Sequence, residues 1–218
     1  MKKGKKIKKI KNVLYNIMFL IIIFIIISTL YSFKKQEKYG PKQTNAQGNT
    51  TITKDNYKAD ITYLAKYEIS GKVVEVHDYT GDSIGDLISP RDVGICWGFL
   101  AEDKYQIKTV TGKARHLNYT ITNRDIGYYI NKILGRVNSH ISNNHLVPSD
   151  KNTSKLINKI QVNDFITLEG YLVNVYAEAP SGKTISWESS LSRNDVGDGA
   201  CELLYVTNVT WLNKDEIY

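Results

Sequence analysis

The chain has 218 residues, with 29 Lys and Arg against 22 Asp and Glu and a formal net charge of +7. Seven of those cations are Lys2, Lys3, Lys5, Lys6, Lys8, Lys9 and Lys11, whereas from Tyr67 onward 15 Lys and Arg face 19 Asp and Glu, a net of −4. The positive charge is therefore a terminal feature. The body of the chain lacks the basic footprint that phosphate binding needs, and no nucleic-acid partner is expected.

Residues 1–12 read as a basic cytoplasmic tip, because Lys clusters beside an apolar span stay on the cytoplasmic side. Residues 13–33 carry no charge. At about 1.5 Å per residue they match a hydrocarbon core of roughly 30 Å, and they read as one transmembrane helix with the lipid bilayer as its partner. Cleavage after Ser32 would put Leu30 where a signal peptidase needs a small residue, so the span is expected to stay as a signal-anchor. The C-terminal part is then extracytoplasmic, on a single-pass protein of the cell membrane. The abundance of Lys, Ile and Asn suggests an AT-rich bacterial genome, which makes that compartment the bacterial envelope.

Residues 34–60 hold Gly40, Pro41 and Gly48 among many Gln, Asn, Thr and Lys, and read as a flexible tether. Residues 61–212 read as one β domain, followed by a short tail at 213–218. Strands are expected at 67–78, 93–100, 105–110, 115–121, 164–176, 184–190 and 201–212. Ile126, Tyr129, Ile130, Ile133, Leu134, Val137 and Ile141 recur at helical spacing after Asn123, which predicts a core-packed helix over about 125–139. A shorter helix over 153–160 would bury Leu156, Ile157 and Ile160. The apolar parity switches across Gly71 and across Gly170, as a β-bulge would cause. Bent, bulged strands suit a small OB-like β-barrel with one or two helices, and that is the expected fold.

Two polar clusters stand out. The segment 139–148 (SHISNNHLVP) places Asn144 and His145 after the longer helix; its plain reading is a helix exit, with Asn144 in the left-handed region and Pro148 as the stop. The segment 187–202 (WESSLSRNDVGDGACE) combines ordinary turn chemistry with Arg193, Asp195, Asp198 and Glu202. Asn194, Asp195, Asp198 and Glu202 could offer oxygen ligands to a cation, but Val196 stands where a calcium loop requires oxygen, and no metal or other cofactor is expected. Cys96 and Cys201 are the only cysteines, and outside the cytoplasm they could form a disulfide. Cys201 alternates with Leu203, Tyr205 and Val209, which suits a buried small hydrophobe better than a nucleophile served by His145. Arg193 is expected to pair with a neighbouring carboxylate and pin its loop.

Trp97-Gly98, SNNHLVP, the strand ending GYLV and WESSLSRNDVGDGACE together resemble a family of bacterial single-pass membrane proteins of uncharacterised activity. Its motifs are S-N-x-H-L-[IV]-P-A, V-x-x-G-D-x-[IV]-x-L-x-G-Y-L-V and W-x-S-S-L-[ST]-R-x-D-x-G-x-G-A-C-E. The likeness covers about 92–206, and here Ser149 replaces the alanine and Asn163 the glycine before Asp164. It implies a common topology and fold and transfers no activity.

Phosphate loops, the G-x-S-x-G elbow, H-E-x-x-H and paired C-x-x-C are absent from the sequence. The expectation is a non-catalytic, membrane-anchored binding or structural module whose partner is an envelope protein or a cell-wall polymer. The alternatives are an envelope-directed hydrolase with a His145/Arg193/Asp195/Asp198 pocket, and a structural subunit that pairs an apolar edge strand with a partner.

Overall fold

The computed structural model describes residues 2–54, 57–111, 115–192 and 201–213. They divide into two units, Met1–Lys38 and Tyr39–Tyr218. The first is one helix, α1 (Lys2–Lys38), whose stretch Ile10–Tyr31 is long and apolar enough to cross a membrane. Its 22 residues rise about 33 Å as a helix. The hydroxyls of Ser28 and Thr29 both donate back to the Ile25 carbonyl, at 2.9 and 2.8 Å, which hides these polar groups within the apolar stretch.

In the second unit the tether expected over 34–60 is largely replaced by strands. β1 (Gly40–Asn45) and β2 (Asn49–Lys54) both pair antiparallel with β3 (Tyr57–Asp78), whose Tyr57, Ala59 and Ile61 are buried. A segment poor in apolar residues cannot build a core, but it can satisfy its backbone along the edge of a strand that has one. Gly40 fits by conformation and space: its φ is +117°, and a Cβ there would lie 2.6 Å from the Trp97 ring.

Five strands pair in a ring. β3 joins β4 (Arg91–Cys96), which joins β7 (Ile141–Pro148); β7 runs parallel to β10 (Glu202–Trp211), which joins β8 (Phe165–Glu178), and β8 returns to β3. All of these pairs except β7–β10 are antiparallel, and α4 (Lys151–Ile157) lies between β7 and β8 in the chain. β9 (Thr184–Glu188) adds to the outer edge of β8, while β5 (Gln106–Thr111) and β6 (Leu117–Thr122) form a separate hairpin. The result is mainly β, a partly closed sheet with OB-like strand order. Its interior holds Tyr67, Ile69, Val93, Ile95, Leu146, Ile166, Leu168, Leu172 and Leu204, closed by Ile157 and Ile160 from the α4 region. The short helix expected over 153–160 forms earlier, as α4: it buries Ile157 and leaves Leu156 half-buried, while Ile160 is buried beyond its end.

The bulges fall elsewhere than at the two glycines. Register shifts occur between Tyr63 and Ala65 and between Val73 and Glu75 of β3, and between Val206 and Asn208 of β10. The shift at Leu64 turns odd-numbered residues of β3 from an outer cluster with Val173 and Val175 to the ring interior. β8 has no bulge at Gly170. It passes from one core to the other, Leu168 and Leu172 facing the interior and Val173 and Val175 the outer cluster. Gly170 and Gly71 serve close backbone approach: added Cβ atoms would lie 2.0 Å from the Tyr205 carbonyl oxygen and 2.4 Å from that of Cys96.

The longer helix is shorter and faces the other way than expected. α3 (Ile126–Ile133) is capped by Asp125, whose carboxylate accepts from Tyr128 N at 2.8 Å; Asn123 stands before it with φ +59°. Only Tyr128 of this helix is buried. Val137 packs beyond its end, and Ile141 opens β7. The helix exit read into SNNHLVP is in fact that central strand.

Candidate functional site

β7 owes its place to its neighbours, because it is hydrogen-bonded on both edges and buried along most of its length. Successive side chains leave a strand on opposite faces, and this separates the two residues singled out on it. Asn144, in register with Val93 and Glu202, faces the ring interior. Its amide donates to the Val93 carbonyl at 3.1 Å and to Ser142 Oγ at 3.2 Å, and Glu202 beside it is buried as well. His145, in register with Asp92 and Leu203, lies on the outer face. Arg193, Asp195 and Asp198, together with Asn194, lie outside the described residues.

His145 gathers a set of partners that the sequence did not indicate. Its Nδ1 donates to Asp92 Oδ1 at 2.8 Å, and both side chains are almost fully buried. Because a carboxylate only accepts, Nδ1 carries the proton and Nε2 is the open position of the ring. Nε2 has no hydrogen-bond partner among the described residues. The other Asp92 oxygen accepts from the Tyr79 hydroxyl at 2.8 Å. Burial, then that hydrogen bond, pushes the Tyr79 pKa well above the usual phenol range, so Tyr79 stays a donor.

Arg115 completes the cluster. Its guanidinium donates to Asp86 at 2.9 Å and to the Ser89 carbonyl at 2.8 Å, and it lies 3.5 Å from Asp92. It stacks 3.6 Å over the Tyr79 ring and 5.1 Å from the Trp187 ring, which in turn lies 4.9 Å from the His145 ring. Such cation–π contacts contribute about 0.5 to 2 kcal/mol each, depending on desolvation. The Arg115 backbone adopts φ +64°, unusual outside glycine, and its carbonyl accepts from Asn143 Nδ2 at 2.9 Å. Two carboxylates, one guanidinium, one imidazole and two part-exposed aromatic rings therefore meet on the outer face of β4 and β7. The β3–β4 connection supplies Tyr79 and, from its short helix α2 (Ile84–Ile88), Asp86, and β9 supplies Trp187.

No hydroxyl or thiol among the described residues is bonded to His145. No disulfide joins Cys96 and Cys201, so the bond that their compartment would permit is not formed. β7 lies between β4, which ends in Cys96, and β10, which Cys201 precedes. Two inter-strand spacings are about 9.6 Å, beyond the roughly 7 Å between Cα atoms that a disulfide can bridge. The Cys96 thiol donates to the Leu100 carbonyl, and burial pushes its pKa up to about 12. Among the described residues no group of three or more His, Cys, Asp or Glu is placed to hold a metal ion.

No family model, characterised protein or solved structure matches this chain. The site stands on its own geometry. Trp187 opens the polar segment already singled out, and Asp92 opens the span carrying the family resemblance, so both had a weak signal. Tyr79, Asp86 and Arg115 had none, since each is one polar residue in an ordinary loop or strand entry.

Proposed function

We propose that the chain is a membrane-anchored, non-catalytic binding module of the bacterial envelope, and that it takes a wall-type glycan at the Tyr79–Arg115–Trp187 cluster. α1 is the anchor, its Lys-rich end is cytoplasmic, and the folded unit is extracytoplasmic, in the sense of the single-pass family it resembles. The observation that carries the ligand reading is placement. In OB-like folds the face of the second and third strands, with the loops flanking it, is the usual ligand surface for oligosaccharides and oligonucleotides. Here those strands are β4 and β7, and aromatic rings and bidentate polar groups gather there. From Tyr39 onward 19 Lys and Arg face 21 Asp and Glu, a net of −2, which disfavours a polyphosphate chain as the ligand.

The test is co-sedimentation of the full chain, in a detergent without a sugar headgroup, with insoluble purified wall polymer. Trp187→Ala should weaken binding at least about tenfold, the loss expected of an anchor worth about 1.4 kcal/mol or more. Equal pelleting of the variant, with an unchanged melting curve, would refute the assignment.

Glycan hydrolysis is the second reading, favoured by the oriented Asp92–His145 pair with Nε2 open. It expects release of new reducing ends from the polymer, abolished in His145→Gln.

A further inference from the structure

α3 is amphipathic in the wrong sense for a core helix. Ile126, Tyr129, Ile130, Ile133 and Leu134 are 80%, 50%, 46%, 84% and 53% exposed. At about 100° per residue they share an arc of roughly 140° on one face. The opposite face holds Tyr128, packed toward Tyr105 with ring centroids 6.4 Å apart. Singly exposed apolar residues need no explanation, but five on one helix face mark an interaction surface.

Beside this face runs a groove of about 430 Å³, lined by Tyr119, Ile121, Arg124, Tyr128, Lys132 and Asn138 among others, with no carboxylate in its lining. Arg124 spends its Nε on the Ile121 carbonyl at 2.7 Å. Its terminal nitrogens and the Lys132 ammonium have no ion-pair partner among the described residues. An apolar helix face flanked by unneutralised cations is the composition of an interfacial helix on an anionic bilayer.

We propose that α3 docks into the surface of the bilayer, its apolar face among the acyl chains and Arg124 and Lys132 at lipid phosphates. Charge complementarity selects this occupant, and so does covalent connection. The folded unit begins at Tyr39, directly after the helix that ends at Lys38, so a bilayer holding α1 is the surface at highest local concentration. The inference uses α1 as an anchor and is independent of the glycan site.

The experiment reconstitutes the full chain carrying Cys201→Ser in vesicles of phosphatidylglycerol and phosphatidylcholine. Flotation of the vesicles reports separately on α1. An environment-sensitive fluorophore is attached at Ile133→Cys, or at Lys155→Cys on α4 as control. The Ile133 probe should shift to the blue and be quenched several-fold more strongly by spin-labelled lipid than the Lys155 probe. Arg124→Glu with Lys132→Glu should reduce that quenching in anionic vesicles and leave it unchanged in neutral ones. Equal, weak quenching at both positions would overturn the proposal. So would a shielded Ile133 probe that lipid does not quench and that depends on protein density, which would assign the face to a second copy of the chain.

Discussion

Single residues carry much of what is particular to this fold. His140 is fully buried against Trp97 and Phe99, and its Nε2 has no hydrogen-bond partner among the described residues. Burial, with the nearby Arg136 guanidinium, lowers its pKa from 6.5 to about 4. The unfolded chain therefore binds the proton more readily than the folded one between those values. The stability from keeping this ring neutral is present in full above pH about 6.5 and is lost as the pH falls toward 4, to an extent of about 3 kcal/mol. Urea midpoints at pH 7 and 4.5 should differ markedly less in His140→Phe than in the parent; an identical difference would remove His140 from the account. Asn163 illustrates a departure from the resembling motif that the structure explains. It replaces that motif's glycine at a position with φ +76°, and Asn tolerates the left-handed region better than most residues. Left-handed backbone at Arg115, by contrast, has no signature in residue type, which is one reason that the Arg115 site was not legible.

At the scale of elements, α4 is tied to β4 by one side chain. Arg91 makes a two-point pair with Asp78 and donates to the carbonyls of Ile157, the last residue of that helix, at 2.8 Å and of Ile160, just past it, at 3.3 Å. Asp78 is largely exposed, so solvent screens the ion pair, whereas the carbonyl bonds are buried. Arg91→Met should cost about 2 to 3 kcal/mol by denaturant unfolding, and Asp78→Asn less than about 1 kcal/mol. Equal costs for the two would show that the exposed pair, and not the carbonyl contact, holds the helix. Elements rich in alternating aliphatic and aromatic residues were legible, as β3 from Tyr67, β8 and β10 show. β7 was not, because Ser142, Asn143, Asn144 and His145 have low strand propensity, and pairing on both edges overrides that propensity. β1 and β2 were misread for a related reason: composition reports whether a segment can bury its own core, not whether it can join the edge of another. α3 was found but faced wrongly, since periodicity locates an apolar face without saying what covers it.

For the molecule as a whole, OB-like order was legible from bent strands with central glycines, although the glycines mark close backbone approach and the bulges lie at Leu64, Val74 and Thr207. The same order brings β4, β7, the β3–β4 connection and β9 together around His145, so a site emerges from residues scattered between 79 and 187. The sequence grouped His145 with 193–198, which lie outside the described residues, because side chains close in the chain are easy to group and side chains joined by strand pairing are not. The central claim is that this outer face of β4 and β7 is where the module takes its ligand. Hydrogen exchange on the full chain in lipid nanodiscs, with and without a soluble wall-glycan fragment, tests it most directly. Slowed exchange is predicted in 79–92, 142–146 and 184–190, and slowing confined to other segments, or none at saturating glycan, would contradict it.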